Sequence, residues 1–262
     1  MELEVAGARI FAATGGKPFD PKQPLLVFVH GAGMDHTVWA LQTRYFAHHG
    51  RAVLALDLPG HGRSEGSPLP SIEALADWLG ALIAAAGVDR AALVGHSMGA
   101  LAALEAAARH PGKVSSLALL GAAVAMPVHP DLIAAAEADD VLAFELITAW
   151  GYGKPAHLGR HPAPGLWMLG GGRKLLARAR PGTLAIDLKA CNAYQGASAA
   201  AARVQCPTLL LSGTEDRMTP IKDAKSLASA IAGARQAALE GAGHMMMIEQ
   251  PDATLDALRA FL

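Results

Sequence analysis

The chain has two cysteines, Cys191 and Cys206, in 262 residues. That excludes a disulfide framework, and two thiols alone do not make a zinc site. Charge is also scarce, at 17% Asp, Glu, Lys and Arg against 52% hydrophobic residues, so the chain has ample apolar surface for a core and is not a disordered segment. Cations do not outnumber anions: 22 Lys and Arg meet 23 Asp and Glu, for a formal net charge of -1. Without a basic excess to neutralise a phosphate backbone, no nucleic-acid partner is expected. No apolar run reaches the roughly 20 residues that cross a bilayer. The longest candidate, Leu117 to Val128, is interrupted by Gly121 and Pro127, so no membrane partner is expected either. The first residues, MELEVAGARIF, carry Glu2 and Glu4 where a secretory signal would carry cations, and the expected address is cytoplasmic.

Short apolar runs alternate with longer segments of helical period, the mark of a mostly parallel sheet joined by crossover helices. Strands are expected at Arg9–Ala12, Leu25–Val29, Ala52–Leu56, Ala92–Val94, Ser116–Leu120, Thr208–Ser212 and Gln236–Leu239. Between them Ile72, Leu75, Ala76, Leu79, Leu82, Ile83 and Ala86 recur at three- and four-residue spacing, with Ser71 placed to cap the helix and Gly87 to end it. Further helices are expected over Met98–Arg109, from Thr219 and Pro220, and over Pro251–Leu262. The alternation breaks between about Ala122 and Arg203. Helical pieces at Leu132–Trp150 and Leu184–Ala193 flank a Gly- and Pro-rich middle whose Pro155, Pro162 and Pro164 predict loops. This stretch reads as a helical insert on the main sheet.

The chemistry starts at ALVGHSMGA. Gly95, Ser97 and Gly99 lie between a buried strand and a helix, which is the setting of a nucleophile elbow: a tight turn strains the serine backbone and lifts its hydroxyl above the sheet. A Cβ at either glycine would clash with the adjoining strand or helix. A serine needs a base and the base an orienting carboxylate. Asp216, in LLLSGTEDRMTP, and His244, in LEGAGHMMMIEQP, each sit just past the carboxyl end of a strand. Parallel strands bring those ends to one edge, where the three loops can converge. Glu215 is the nearest competitor of Asp216. The turn His30–Gly33 after Leu25–Val29 can aim a backbone N–H into the same place, and Ala32 and Met98 are the candidate oxyanion-hole donors. HGAG is not a dinucleotide turn, because His36 stands where the third Gly of G-x-G-x-x-G would be. No cofactor is expected. His48, His49, His157 and His161 show no spacing such as H-E-x-x-H, and no metal is expected.

The order Ser, Asp, His, with HGAG, DLPGHGRS, GHSMG and GHMMMIEQP, resembles the α/β-hydrolase superfamily over essentially the whole chain. The resemblance is nearest to compact bacterial serine hydrolases and carboxylesterases with a helical cap. It implies an α/β fold with a mostly parallel eight-stranded sheet flanked by helices and a cap inserted after the sixth strand. That divides the chain into a core, residues 1–121 and 204–262, and a cap, residues 122–203. It also implies that Asp57–Ser64, with His61, is a structural loop, that His30 shapes the oxyanion loop, and that Glu249 anchors the loop after His244. Relatives that break carbon–halogen bonds or epoxides use Asp at the nucleophile position, and this chain has Ser97. No carboxylate follows Leu120 in GAAVAMP, where some members place the acid, which favours Asp216.

The reading is a serine carboxylesterase for small to medium apolar esters, working through an acyl-enzyme on a small-molecule substrate. The same site would serve a lactone, a carbon–carbon bond, a peracid or a cyanohydrin, and a non-catalytic binding protein is the third alternative. Trp167, Met168, Met126 and Met245 are candidate substrate contacts. Arg173, Arg178 and Arg180 are either partners of a substrate carboxylate or solvated surface charge. The oligomeric state is not expressed in the sequence.

Overall fold

The computed structural model describes residues 1–161 and 165–262. Its central strands are rich in apolar residues because alternate residues feed two different cores. In β3 (Leu25–Val29), Leu25, Val27 and Val29 enter one apolar cluster, while Leu26 and Phe28 enter another. The sixth strand, Val114–Leu120, splits the same way, with Leu117 and Leu119 on one side and Ala118 and Leu120 on the other. Strands covered on both faces read as unbroken hydrophobic runs.

The sheet has eight strands in the order β1-β2-β4-β3-β5-β6-β7-β8. The two antiparallel pairings are β1 (Glu2–Val5) with β2 (Ala8–Ala13) and β2 with β4 (Ala52–Leu56). From β4 through β3, β5 (Ala91–His96), β6 (Val114–Leu120), β7 (Thr208–Gly213) and β8 (Arg235–Leu239), every neighbour is parallel. The expected strands are all present, and Glu2–Val5 is an additional edge strand whose polar–apolar alternation spans only four residues, too short a run to stand out.

On one face of the sheet, Phe46 and Ala47 of α1 (Ala40–His48) enter the second cluster. On the other, α2 (Ile72–Ala85) and α3 (Met98–Arg109) build the first. Ser71 caps α2, its Oγ accepting the Ala74 N–H at 3.1 Å, which satisfies one of the amides a helix start leaves unpaired. Among the described residues six helices lie between β6 and β7: α4 (Pro130–Glu137), α5 (Val141–Gly151), α6 (Lys154–His157), α7 (Met168–Leu176), α8 (Thr183–Ala193) and α9 (Ala197–Ala201). Leu132, Ile147, Leu184 and Leu188 join α4, α5 and α8 through a third apolar cluster. In contrast, Ala197, Ala200 and Ala201 of α9 belong to the cluster built on α2 and α3. The chain ends with α10 (Ile221–Ala230), α11 (Met246–Glu249) and α12 (Pro251–Arg259).

Three expectations are corrected here. Leu132–Trp150 is two helices, split where Asp139 adopts φ 50° and Asp140 caps α5 by accepting the Leu142 N–H. The Gly- and Pro-rich middle holds α6 and α7 rather than loops alone: Pro155 sits in the first turn of α6, where its missing N–H costs nothing, and α7 tolerates three glycines. Pro162 and Pro164 lie outside the described residues. The helix expected from Thr219 begins at Ile221 with Pro220 as its cap, because Thr219 is committed elsewhere, as described below. Among the described residues no helix is long and apolar enough to cross a membrane.

Candidate active site

At the end of β5 the chain reverses into α3 through Ser97, at φ 55° and ψ -119°. Holding a non-glycine residue there costs about 1–3 kcal/mol. The turn is over-determined: the Ser97 N–H donates to the Leu120 carbonyl at 2.9 Å, and the Ser97 carbonyl accepts from Ala100 and Leu101. A Cβ on Gly95 would collide with the Gly99 carbonyl, and one on Gly99 would lie 2.5 Å from the carbonyl oxygens of Val29 and His30. Backbone meets backbone at both positions, and nothing there is free to yield.

Asp216 follows β7 and His244 follows β8, on the same edge of the sheet as Ser97. The His244 Nδ1 lies 2.8 Å from Asp216 Oδ2. A carboxylate only accepts, so the shared proton is on Nδ1 and the lone pair on Nε2. That Nε2 is buried and has no hydrogen-bond partner among the described residues. Asp216 is itself pinned: its Oδ1 accepts the N–H groups of Met218 and Thr219, each at 2.8 Å, and its Oδ2 accepts the Thr219 hydroxyl at 2.7 Å. Burial alone would raise the Asp216 carboxyl, but the adjacent His244 and these hydrogen bonds outweigh it and hold the group below the ordinary carboxylate range. Glu215 does not compete for the imidazole; it accepts the Lys154 N–H at 2.6 Å.

The backbone around His244 is fixed from three directions. Its N–H donates to the Gly151 carbonyl at 2.8 Å. Buried Glu249 accepts the N–H groups of Gly243, Met245 and Gly153 at 2.8–3.1 Å. The third hold is His96, whose Nε2–H donates to the His244 carbonyl at 3.0 Å. Burial, followed by the nearby His244, keeps the His96 imidazole neutral, well below its usual range. Ser97 and His244 line one cavity of about 160 Å³, together with Ala32, Met126, Met245 and apolar residues of α4, α5 and α8.

Residues 26–257 match the sequence profile of the alpha/beta hydrolase family. The chain belongs to that family. A pimeloyl-[acyl-carrier protein] methyl ester esterase of Aromatoleum aromaticum is 32% identical over 249 residues, covering 88% of this chain and 94% of the relative. A putative carbamate hydrolase of Klebsiella pneumoniae is 30% identical over 262 residues, covering 91% of each. Among solved structures, an enol-lactonase of Burkholderia xenovorans superposes with a TM-score of 0.88 at 26% identity, covering 100% of this chain and 99% of the other. The eight-stranded, mostly parallel sheet described above is thus the alpha/beta hydrolase fold.

In this alpha/beta hydrolase the loop after β3 is shaped by His30, whose Nδ1–H donates to the Gly31 carbonyl at 2.8 Å while Nε2 accepts the Leu58 N–H at 3.1 Å. Burial, with His61 nearby, lowers the His30 imidazole to about 3, so one neutral tautomer persists. Ala32 lines the cavity, and Met98 opens α3, where no intrahelical acceptor exists for its N–H. Among the described residues neither amide is hydrogen-bonded to a protein acceptor.

Behind this loop lies a second buried His–Asp pair. His61 Nε2 donates to Asp187 Oδ2 at 2.8 Å and its Nδ1 to the Pro59 carbonyl at 3.0 Å. Both acceptors lack a proton, so both ring nitrogens carry one. Burial opposes the charged imidazole, but the Asp187 carboxylate prevails and raises it above its usual value. The same Asp187 oxygen accepts the Gly33 N–H at 2.8 Å. His61, expected to be structural, thus ties the Asp57–Ser64 loop to α8.

Of the tentative substrate contacts, Met126 and Met245 line the Ser97 cavity. Trp167 and Met168 do not: they face a separate groove beside Tyr152 and Ile248, where Met245 also contributes and Trp167 is 65% exposed. Neither do the three arginines considered in the sequence reach the Ser97 cavity. Arg180 donates to the Ser64 and Gly66 carbonyls, Arg173 lies 3.5 Å from the Thr148 hydroxyl, and Arg178 lines a separate pocket beside His36 and Asp57. The cavity instead contains Arg217 and His129, which the sequence reading passes over. Asp187 was also missed, although a lone carboxylate flanked by Ile186 and Leu188 in TLAIDLKACNA signals a helix face with a buried partner.

Proposed function

We propose that this alpha/beta hydrolase is a serine hydrolase that cleaves carboxylic esters through an acyl-enzyme. The observation that carries the reading is the His244 imidazole. Its Nδ1–H is fixed on buried Asp216, and its unpartnered Nε2 belongs to a residue sharing one cavity with strained Ser97. A positioned base and a weak nucleophile at one cavity are what acyl transfer requires. His244 takes the Ser97 proton as Oγ attacks the ester carbonyl, and the amides of Ala32 and Met98 stabilise the oxyanion. His244 then gives that proton to the leaving alcohol. Water, deprotonated by His244, attacks the acyl carbonyl, and the Ser97 Oγ leaves with the proton. Asp216 keeps the imidazole in the productive tautomer and stabilises its cation.

Residues 122–203 act on this reading as a cap over a core of residues 1–121 and 204–262. Leu132, Ile147 and Leu188, from α4, α5 and α8, supply part of the cavity wall, so acyl-chain length is selected there. The likeness to an enol-lactonase favours lactones as a second substrate class, since a lactone is an ester closed on itself and follows the same steps.

The test is hydrolysis of p-nitrophenyl esters from acetyl to dodecanoyl by the wild type and Ser97→Ala, with an enol-lactone run in parallel. Turnover that peaks at short acyl chains and disappears in Ser97→Ala is the expected result. Unchanged turnover in Ser97→Ala, or failure of a serine-directed phosphonate to label Ser97 in the folded protein, would overturn the reading.

A further inference from the structure

We infer that Arg217 makes this an esterase for acidic substrates: the cavity takes an ester whose acyl chain ends in a carboxylate, and Arg217 binds that end. The inference rests on the serine-esterase reading and names its substrate class. Three observations carry it. Arg217 lines the cavity that contains Ser97 and His244, and no Asp or Glu lines it with them. The rest of the wall is largely apolar, so Arg217 is the one permanently charged residue among those described that line the cavity. Finally, the carboxylates next to Arg217 in the chain are already committed. Asp216 is engaged by His244, Met218 and Thr219, and Glu215 accepts the Lys154 N–H.

Among the described residues no side chain or carbonyl is hydrogen-bonded or ion-paired to Arg217. Its backbone is nevertheless held, because Met218 and Thr219 on its far side donate to Asp216 Oδ1 at 2.8 Å. A fixed backbone beside the catalytic acid, at a cavity-lining Arg217 whose planar guanidinium has no partner among the described residues, suits bidentate capture of a carboxylate. Apolar walls between the two ends suit a methylene chain. The other imidazole of the cavity that the mechanism does not use, His129, is engaged as the cap of α4, with Nδ1 accepting the Asp131 N–H. His129 is thus engaged within its own turn, and Arg217 carries the selectivity.

The experiment compares hydrolysis of methyl hydrogen succinate, glutarate, adipate and pimelate with that of methyl butanoate, pentanoate, hexanoate and heptanoate. Each acid-ended ester has a neutral counterpart with an acyl chain of equal carbon count. The expected result is a preference of about tenfold or more in kcat/KM for the acid-ended ester at one chain length, the size of one charge-assisted contact. Arg217→Gln should reduce that ratio about tenfold, mainly through KM, and Arg217→Lys should restore part of it. Salt should weaken the preference, since the cation is exposed.

A wild type that hydrolyses the neutral esters through Ser97 and shows no preference at any length overturns the inference and leaves the esterase reading intact. So does a ratio that Arg217→Gln does not move. If no ester is turned over, the esterase reading falls, and calorimetric titration with glutarate and pimelate decides the anion site. Binding about tenfold tighter to the wild type than to Arg217→Gln supports it, and equal binding overturns it.

Discussion

Asp216 accepts four protein hydrogen bonds, three of them from its own turn and one from His244. Replacement by Asn leaves the volume nearly unchanged but puts an amide where the imidazole N–H must find an acceptor. The ring then has reason to hold its proton on Nε2, where it cannot act as a base. We expect Asp216→Asn to lower kcat by about 10⁴ in a folded protein, the magnitude known for this change in a Ser-His-Asp site. A loss under about tenfold would mean that another group orients His244. The candidate residues Ser97, Asp216 and His244 could be picked out in the sequence because Ser97 directly follows β5 and the other two lie in the loops after β7 and β8, ends that parallel topology brings to one edge. Arg217 and Asp187 could not be. Their significance depends on which cavity or loop they meet, and neither periodicity nor a local motif encodes that.

At the scale of elements, strands were the readable part and the segment between β6 and β7 the least readable. β3 and β4 match their expected bounds because both faces are buried and the apolar run starts and stops with the strand. The helix α1 escaped notice because its sequence, ALQTRYFAH, mixes polar and apolar residues. The glycines of α7 argued against a helix that tertiary packing nevertheless maintains, burying Met168 and Leu176. The helix α8 has a task beyond wall-building: its Asp187 holds Gly33 and His61 at once. Truncating it would leave a buried imidazole and a buried N–H without their acceptor. Asp187→Ala should therefore cost about 3–5 kcal/mol in chemical denaturation. Because Gly33 adjoins Ala32, it should also lower kcat more than it raises KM. Asp187→Asn keeps an acceptor for the Gly33 amide and should retain more of kcat than Ala. Equal activity in both variants and the wild type would show that the oxyanion loop stands without α8.

For the whole molecule, the buried histidines set opposite limits on the pH range of stability. His30, lowered by burial to about 3, and His96, lowered well below 6.5, stay neutral in the fold while the unfolded chain protonates them below about 6.5. Between those values the unfolded state binds more protons, so stability falls as the solution is acidified. Asp216 and Asp57, whose folded carboxyls are held below their unfolded value of 3.8, add further loss at lower pH. In Asp57 burial is outweighed by hydrogen bonds from His36 and Arg63. His61 has the opposite sign. Its folded value is raised by Asp187, so the fold keeps a proton that the unfolded chain has released, and its contribution is complete below about 6.5 and lost as pH rises through the folded value. Melting temperature plotted against pH should thus decline on the acid side and, separately, on the alkaline side of neutrality. Asp187→Asn removes the charge that keeps His61 protonated, so it should flatten the alkaline decline while leaving the acid one in place. A wild type whose melting temperature does not decline as pH rises above about 6.5, or a variant that retains the same decline, would show that the His61–Asp187 pair does not titrate with folding. A flat acid side from pH 6.5 to 4 would likewise mean that His30 and His96 take up protons without unfolding the chain.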